Sequence, residues 1–128
     1  AFTLSIADIP HIEAADFFGI ATGNKMPDKF ERSGLTAVKS EKVNAPIVQE
    51  FPLTLECKVV EDKMEVYGHH VIGEIVGVLA DEAVLDEKGK VDPTKLNAFV
   101  FDQFQSGYYA IGEKVGQAWH IGAPLMKK

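Results

Sequence analysis

The sequence has one cysteine, no long apolar run and no excess of basic residues. A lone Cys57 excludes an internal disulfide and a paired-cysteine redox or metal motif. No stretch approaches the ~18 apolar residues that a membrane-spanning helix needs. Thirteen Lys and Arg against nineteen Asp and Glu give a net charge of −6, which argues against binding to a nucleic-acid backbone. We therefore expect a cytoplasmic protein without nucleic-acid or membrane partners, and any redox chemistry must come from a cofactor.

Short motifs of three common enzyme classes are also missing. The chain contains no nucleophile elbow, no Walker phosphate loop and no GxGxxG fingerprint. Acyl transfer, nucleotide hydrolysis and Rossmann-type dinucleotide binding therefore have no support from a motif. The 128 residues, 46% hydrophobic and 25% charged, have the composition of one globular domain, which we assign to residues 1–128.

The first part of the chain predicts one strand and two helices. Residues 2–6 alternate apolar and polar side chains, so the chain opens inside a strand. Apolar residues at helical spacing predict a helix within 8–20, with Asp8 as its N-cap. Residues 28–31 have the spacing of a capping box before a short helix that Gly34 ends.

The rest of the chain predicts an antiparallel sheet, so the expected fold class is mainly β with short helices. In the strand 52–60, the alternation predicts a buried face and an exposed one, formed respectively by Leu53, Leu55, Cys57 and Val59 and by Thr54, Glu56 and Lys58. We expect a turn at 61–63, and bulges or close backbone approach at Gly73 and Gly77. A turn at 86–90, a helical turn at Asp92-Pro93 and two short apolar runs follow, and Lys127 and Lys128 form a frayed tail.

His69 and His70 are adjacent in a predicted strand. Successive strand side chains point to opposite faces, so one metal ion could not easily bind both, and we predict no metal site. Each histidine is either hydrogen-bonded or solvent-facing, or it is a donor beside a bound cofactor.

The loop 22–29 is a candidate phosphate site. Gly23 and Asn24 permit unusual backbone angles, the helix that follows offers free N–H groups, and Lys25 and Lys29 add positive charge. A capped helix with surface lysines is the alternative interpretation.

In chain order, several segments resemble one family. They are Phe2-Thr3-Leu4-Ser5-Ile6, Asp16-Phe17-Phe18-Gly19, Gly23 with Asp28-Lys29-Phe30, Ala45-Pro46, Leu55-Glu56-Cys57-Lys58, Gly73-Glu74-Ile75, Tyr108-Tyr109 and Ile111-Gly112-Glu113. The ordered set is similar to the flavin reductase-like, FMN-binding split-barrel family, and in particular to its flavoredoxin branch.

The resemblance implies an antiparallel split barrel that forms a homodimer and binds FMN near the dimer interface. Flavin would pass electrons from NADH, NADPH or a protein donor to an acceptor. It also implies that Ser5 approaches the flavin and that the flavin-binding loop contributes Gly23, Asp28, Lys29 and Phe30.

The sequence departs from the family pattern at three points. The family often has Arg where Asn24 stands, and it places a histidine five residues before Gly73, where this chain has Gly68 followed by His69 and His70. Family members also carry further strands before the Phe-Thr-Leu-Ser segment. We expect a fragment, a protein completed by another chain, or a divergent domain, and we expect that these 128 residues do not form a complete flavin site alone.

Three functions follow from this resemblance. The first is an FMN-dependent oxidoreductase, with His69 or His70 as catalytic residues and a flavin site that includes Ser5, Asn24 and the loop positions above. The second is a flavoredoxin-like electron-transfer protein without nicotinamide specificity. The third is a β-barrel dimerisation or binding module without flavin.

Overall fold

Strands form most of the regular structure in a computed structural model that describes residues 1–127. The elements are β1 (Phe2–Ile6), α1 (Ile12–Ile20), α2 (Lys29–Ser33), β2 (Ala37–Lys39), β3 (Pro46–Val48), β4 (Leu53–Glu65), β5 (Gly68–Ala80), α3 (Pro93–Leu96), β6 (Phe99–Asp102) and β7 (Gly107–Ala110). All paired strands are antiparallel. The predicted mainly β class with short helices is confirmed. Lys128, part of the predicted frayed tail, lies outside the described residues.

The main sheet has three strands in the order β1-β4-β5. β4 and β5 form a hairpin of two 13-residue strands, and β1 pairs with only the first part of β4, from Leu53 to Cys57. Beyond Cys57 the hairpin continues as a two-stranded ribbon. Two further hairpins, β2-β3 and β6-β7, complete the strand pairing. In the part of the chain that the structure describes, no helix is long and apolar enough to cross a membrane.

The prediction of the buried face of β4 was right for Cys57, which is buried, and for Lys58, which is exposed, but wrong for other positions. Thr54 and Glu56, expected in solvent, are each only 2% exposed. Their side chains have partners, since the hydroxyls of Thr54 and Ser5 lie 2.9 Å apart and Ser40 donates a hydrogen bond of 2.5 Å to Glu56. We call this side of the sheet, which carries Thr3, Ser5, Thr54 and Glu56, the polar face. The segment from Ser40 to Pro46 lies against it, because the Thr3 hydroxyl also donates to the Pro46 carbonyl.

The opposite side of the sheet, the apolar face, is half open. Leu4 pairs with Leu55 and Leu55 with Val78, so these three side chains share this face. Leu4 is 49% exposed and Val78 is 56% exposed, although Cys57 on the same side is buried. Alternation therefore grouped the residues correctly but did not show which group is covered.

The close approach predicted at Gly73 and Gly77 is confirmed. A Cβ at Gly73 would lie 2.6 Å from the ring of Phe2, and one at Gly77 would lie 2.2 Å from the Glu56 carboxylate. The β4-β5 register shifts between Glu56 and Cys57 and again between Val59 and Glu61, as bulges would require.

The turn expected at 61–63 does not exist. β4 continues to Glu65, and the chain reverses at Val66-Tyr67, before Gly68 at φ 129°. The charged residues fit within the strand because Glu61, Lys63 and Glu65 point to the same side, where the lysine pairs with both glutamates. The Lys63 ammonium lies 3.3 Å from Glu61 and 2.7 Å from Glu65.

Two of the predicted helix caps are also wrong. α1 begins at Ile12 after a 3₁₀ turn, and the carboxylate of Asp8 bonds to the imidazole of His11 at 2.5 Å instead of capping the helix. Asp28 makes no side-chain cap either, because it binds Arg32 one turn later at 2.8 Å. The predicted end of α2 is confirmed, with Gly34 at φ 72°.

Candidate functional site

Ser5 stands on β1 directly opposite Thr54 of β4. Its hydroxyl lies 2.9 Å from that of Thr54, and either oxygen can donate. Thr54 is buried whereas Ser5 is only partly covered. A hydroxyl both donates and accepts, so Ser5 keeps hydrogen-bonding capacity beyond the contact with Thr54.

The predicted flavin-binding loop, residues 22–30, follows the end of α1. Two aromatic rings join the two helices, since Phe18 and Phe30 stack at 5.8 Å with their planes 1° apart. Lys29 caps α1, because its ammonium donates to the carbonyls of Phe18 at 3.1 Å and Ala21 at 2.8 Å. Helix C-termini leave such carbonyls without a partner in the helix. An ammonium has three N–H donors, so one remains for a ligand.

Gly23 and Asn24 form the exposed tip of this loop. Neither residue has a positive φ, so the unusual backbone angles that the sequence suggested are not used. Apart from Gly23 and its two chain neighbours, no residue has an atom within 4 Å of a Cβ built at Gly23, and the Asn24 N–H is held by the hydroxyl of Thr22 at 3.3 Å. The loop thus leaves open space above Gly23.

Asp28, which directly precedes α2, forms an ion pair with Arg32 on that helix. The hydrogen bond from the guanidinium lowers the pKa of Asp28 below its ordinary value. Because Arg32 offsets the carboxylate, the pair leaves the net charge that the two lysines supply to the loop unchanged. α2 has only five residues, so its N-terminus contributes little of the helix dipole that the phosphate hypothesis invoked.

His69 and His70 lie at the far end of the β4-β5 ribbon and face opposite sides of it, as predicted. His69 pairs with Met64 and His70 with Lys63. The imidazole of His69 makes a close contact through Nε2 with the carboxylate of Asp62, and both side chains are more than half exposed. Sequence reasoning missed Asp62, because the contact depends on a register that a prediction of a turn at 61–63 excludes.

The proposed site residues fall into separate groups. Among residues 1–127, no hydrogen bond joins Ser5, the loop 22–30 and the histidine pair to one another. An open cleft of about 560 Å³ between α1 and α2 is lined by none of them; its walls include Phe17, Arg32 and Leu35. Arg32 is the single arginine of the chain, and no motif in the sequence indicated this cleft.

Comparisons with known proteins place this arrangement in a family. The family model "Flavin reductase like domain" matches residues 1–106. Flavoredoxin of Desulfovibrio vulgaris (Miyazaki F) superposes with a TM-score of 0.86 at 37% identity, covering 94% of this chain and 63% of that one. Flavoredoxin from Methanosarcina acetivorans superposes with a TM-score of 0.87 at 25% identity, covering 97% of this chain and 64% of that one.

One similar sequence is an uncharacterised protein of Aquifex aeolicus, 35% identical over 80 residues, which are 59% of this chain and 40% of that protein. The chain therefore spans less than two thirds of the length of these relatives. Because the family model covers most of it, the chain belongs to the flavin reductase-like family, and its fold is that of the flavin reductase-like split barrels.

Proposed function

We propose that this chain is a domain that binds FMN and passes electrons through the flavin between a donor and an acceptor. The observation that carries the proposal is the likeness to D. vulgaris flavoredoxin over 94% of the chain at 37% identity. The bound flavin supplies the electron-carrying ring, while the protein binds and orients it.

Residues of the loop and of β1 fit a cofactor that has an anionic end and a flat aromatic ring. The loop tip is open at Gly23, and the ammonium of Lys29 retains a donor next to the stacked rings of Phe18 and Phe30. In the proposal, Lys29 and the side-chain carboxamide of Asn24 hold polar groups of the flavin, and Phe30 contacts its ring system. Ser5 donates or accepts a hydrogen bond at the ring edge, and Gly23 and Asp28 shape the loop.

The second proposed function is electron transfer without nicotinamide specificity. The family's histidine position is Gly68 here, and its φ of 129° disfavours any residue with a side chain. His69 is the nearest replacement, but Asp62 already holds its Nε2. This observation favours a flavoredoxin-like protein that exchanges electrons with a protein or small-molecule partner over an NADH or NADPH oxidase.

The proposal includes a homodimer that works in the cytoplasm. A single, buried cysteine suits a reducing compartment, and the half-open apolar face offers a surface on which a second copy could pack. If the 128 residues do not form a complete flavin site alone, FMN should bind only when two copies of the chain associate or when another chain completes the site. A homogeneous monomer that begins at Ala1 and carries stoichiometric FMN would refute that part.

A titration with FMN and riboflavin tests the cofactor assignment. Flavin fluorescence should be quenched saturably by FMN, and riboflavin, which lacks the phosphate, should bind more weakly if the loop contacts that group. NADH and NADPH consumption by the FMN-loaded protein then separates the first function from the second. If the assembled protein binds neither FMN nor riboflavin, the only one of the three functions that remains is a dimerisation or binding module without flavin.

A further inference from the structure

Glu56 is the least expected residue of the polar face. It is 2% exposed, and Oε1 accepts a 2.5 Å hydrogen bond from the Ser40 hydroxyl. Its other carboxylate oxygen, Oε2, is buried and has no hydrogen-bond partner among the residues that the structure describes. Native proteins rarely leave such an atom unpaired, because a buried carboxylate oxygen without a partner loses its hydration and gains nothing in return.

The side chains of Lys42 and Glu56 both approach Gly77. A Cβ built at Gly77 would lie 2.2 Å from Oε2 of Glu56 and 2.7 Å from Cδ of Lys42, so both atoms converge on the same point above the glycine. The Lys42 ammonium makes no hydrogen bond or ion pair within residues 1–127. It lies two bonds beyond Cδ, so rotation about the last two side-chain torsions moves it without displacing the stem beside Gly77.

Ser40 is not available to satisfy Oε2, and a water molecule is a poor substitute. The Ser40 hydroxyl already donates to Oε1 and accepts from the N–H groups of Lys42 at 3.1 Å and Val43 at 3.0 Å. A buried water needs about 2–4 polar partners, and the atoms nearest to the space above Gly77 are Oε2 itself, the Glu56 Cδ and the apolar Cδ of Lys42. An ammonium satisfies both the hydrogen bond and the charge.

We propose that Lys42 and Glu56 form an ion pair through Oε2 that fastens the segment from Ser40 to Pro46 onto the polar face of the sheet. Together with the bond from Ser40, it gives the carboxylate two attachments to one loop. The segment also contacts Thr3 of β1 through the Pro46 carbonyl, on the face that carries Ser5. Gly77 is required at this position because any side chain would fill the space that the pair uses.

Lysine-to-methionine variants test the pair while preserving the unbranched stem. Lys42→Met should lower the melting temperature by several degrees, because it leaves a buried carboxylate unpaired. Lys39→Met, on the exposed strand β2, is the matched control and should change it little. In a Glu56→Gln background, which keeps a polar group beside Ser40, Lys42→Met should have much less effect than in the natural sequence.

A second measurement does not require Glu56 to be changed. In the natural protein, the ammonium protons of Lys42 should exchange with water more slowly than those of Lys39, and a ¹H–¹⁵N spectrum of the lysine ammonium groups should show it. Equal melting temperatures for Lys42→Met and Lys39→Met would overturn the proposal. So would an unchanged effect of Lys42→Met in the Glu56→Gln background, or equal exchange rates at the two ammonium groups.

Discussion

Substitution of Gly77 by alanine should be one of the most damaging single changes in this chain. The new methyl group would lie 2.2 Å from Oε2 of Glu56, whereas carbon contacts are favourable only near ~3.5–4.0 Å. The carboxylate would have to move, but Ser40 holds it at 2.5 Å within a buried environment. Loss of that bond costs about 1–3 kcal/mol and overpacking a further ~1–3 kcal/mol. The sum, about 2–6 kcal/mol, is a large fraction of a total stability of roughly 5–15 kcal/mol.

The assay is thermal or denaturant unfolding, with two other glycines as controls. Gly19→Ala, on α1 with no neighbouring atom within 4 Å, should stabilise the protein by about 0.5–1 kcal/mol. Gly73→Ala should have an intermediate effect, since it meets the end of the Phe2 ring at 2.6 Å and that ring can turn aside. Removing the carboxylate with Glu56→Ala should make Gly77→Ala less harmful than it is alone. A Gly77→Ala protein as stable as the natural one would refute this reasoning.

Three further predictions concern the candidate site and its surroundings. Lys29→Ala should weaken FMN binding some 10- to 100-fold, because one charge-assisted hydrogen bond is lost. It should also lower the free energy of unfolding, because two helix-capping hydrogen bonds disappear. Lys25→Ala, which removes an exposed charge from the same loop, should leave stability unchanged in the same unfolding assay. Separate His69→Ala and His70→Ala variants, assayed for FMN affinity and NADH oxidation, should give one strong and one weak phenotype, and two negligible effects would favour electron transfer without nicotinamide. A hydrogen bond from the Tyr108 hydroxyl to the Asp16 carboxylate raises the pKa of Tyr108 above its ordinary value. The stabilising effect of this bond should be present below pH ~10 and lost as the pH rises through the folded-state pKa. Tyr108→Phe should abolish that part of the pH dependence in unfolding measurements between pH 8 and 11.

Local signals predicted the elements, whereas tertiary contacts decided which surfaces are covered. The alternation at 2–6 and the left-handed Gly34 needed only neighbouring residues, and both predictions are confirmed. The cap predicted at Asp28 failed because Arg32 competes for the same carboxylate. The burial of Glu56 depends on Ser40, sixteen positions earlier in the chain, and no periodicity carries that information. The flavin hypothesis came from the family resemblance, because contacts within one chain do not identify the cofactor that the chain binds.

The uncovered apolar face leads to the last prediction. Leu4, Ile75 and Val78 are between 49% and 56% exposed on one side of the sheet, and an apolar sheet face normally packs against a second layer. Fully burying one such side chain contributes about 1.5–3 kcal/mol, enough for a few of them to stabilise a dimer. If a second copy covers this face, light scattering should give a dimeric mass for the natural protein and a monomeric mass for Val78→Asp, which places a charge on that face. Val66→Asp, at the 92% exposed tip of the β4-β5 hairpin, should remain dimeric. A monomeric natural protein would show that no second copy covers the apolar face. A dimeric Val78→Asp variant would show that the dimer forms through another surface.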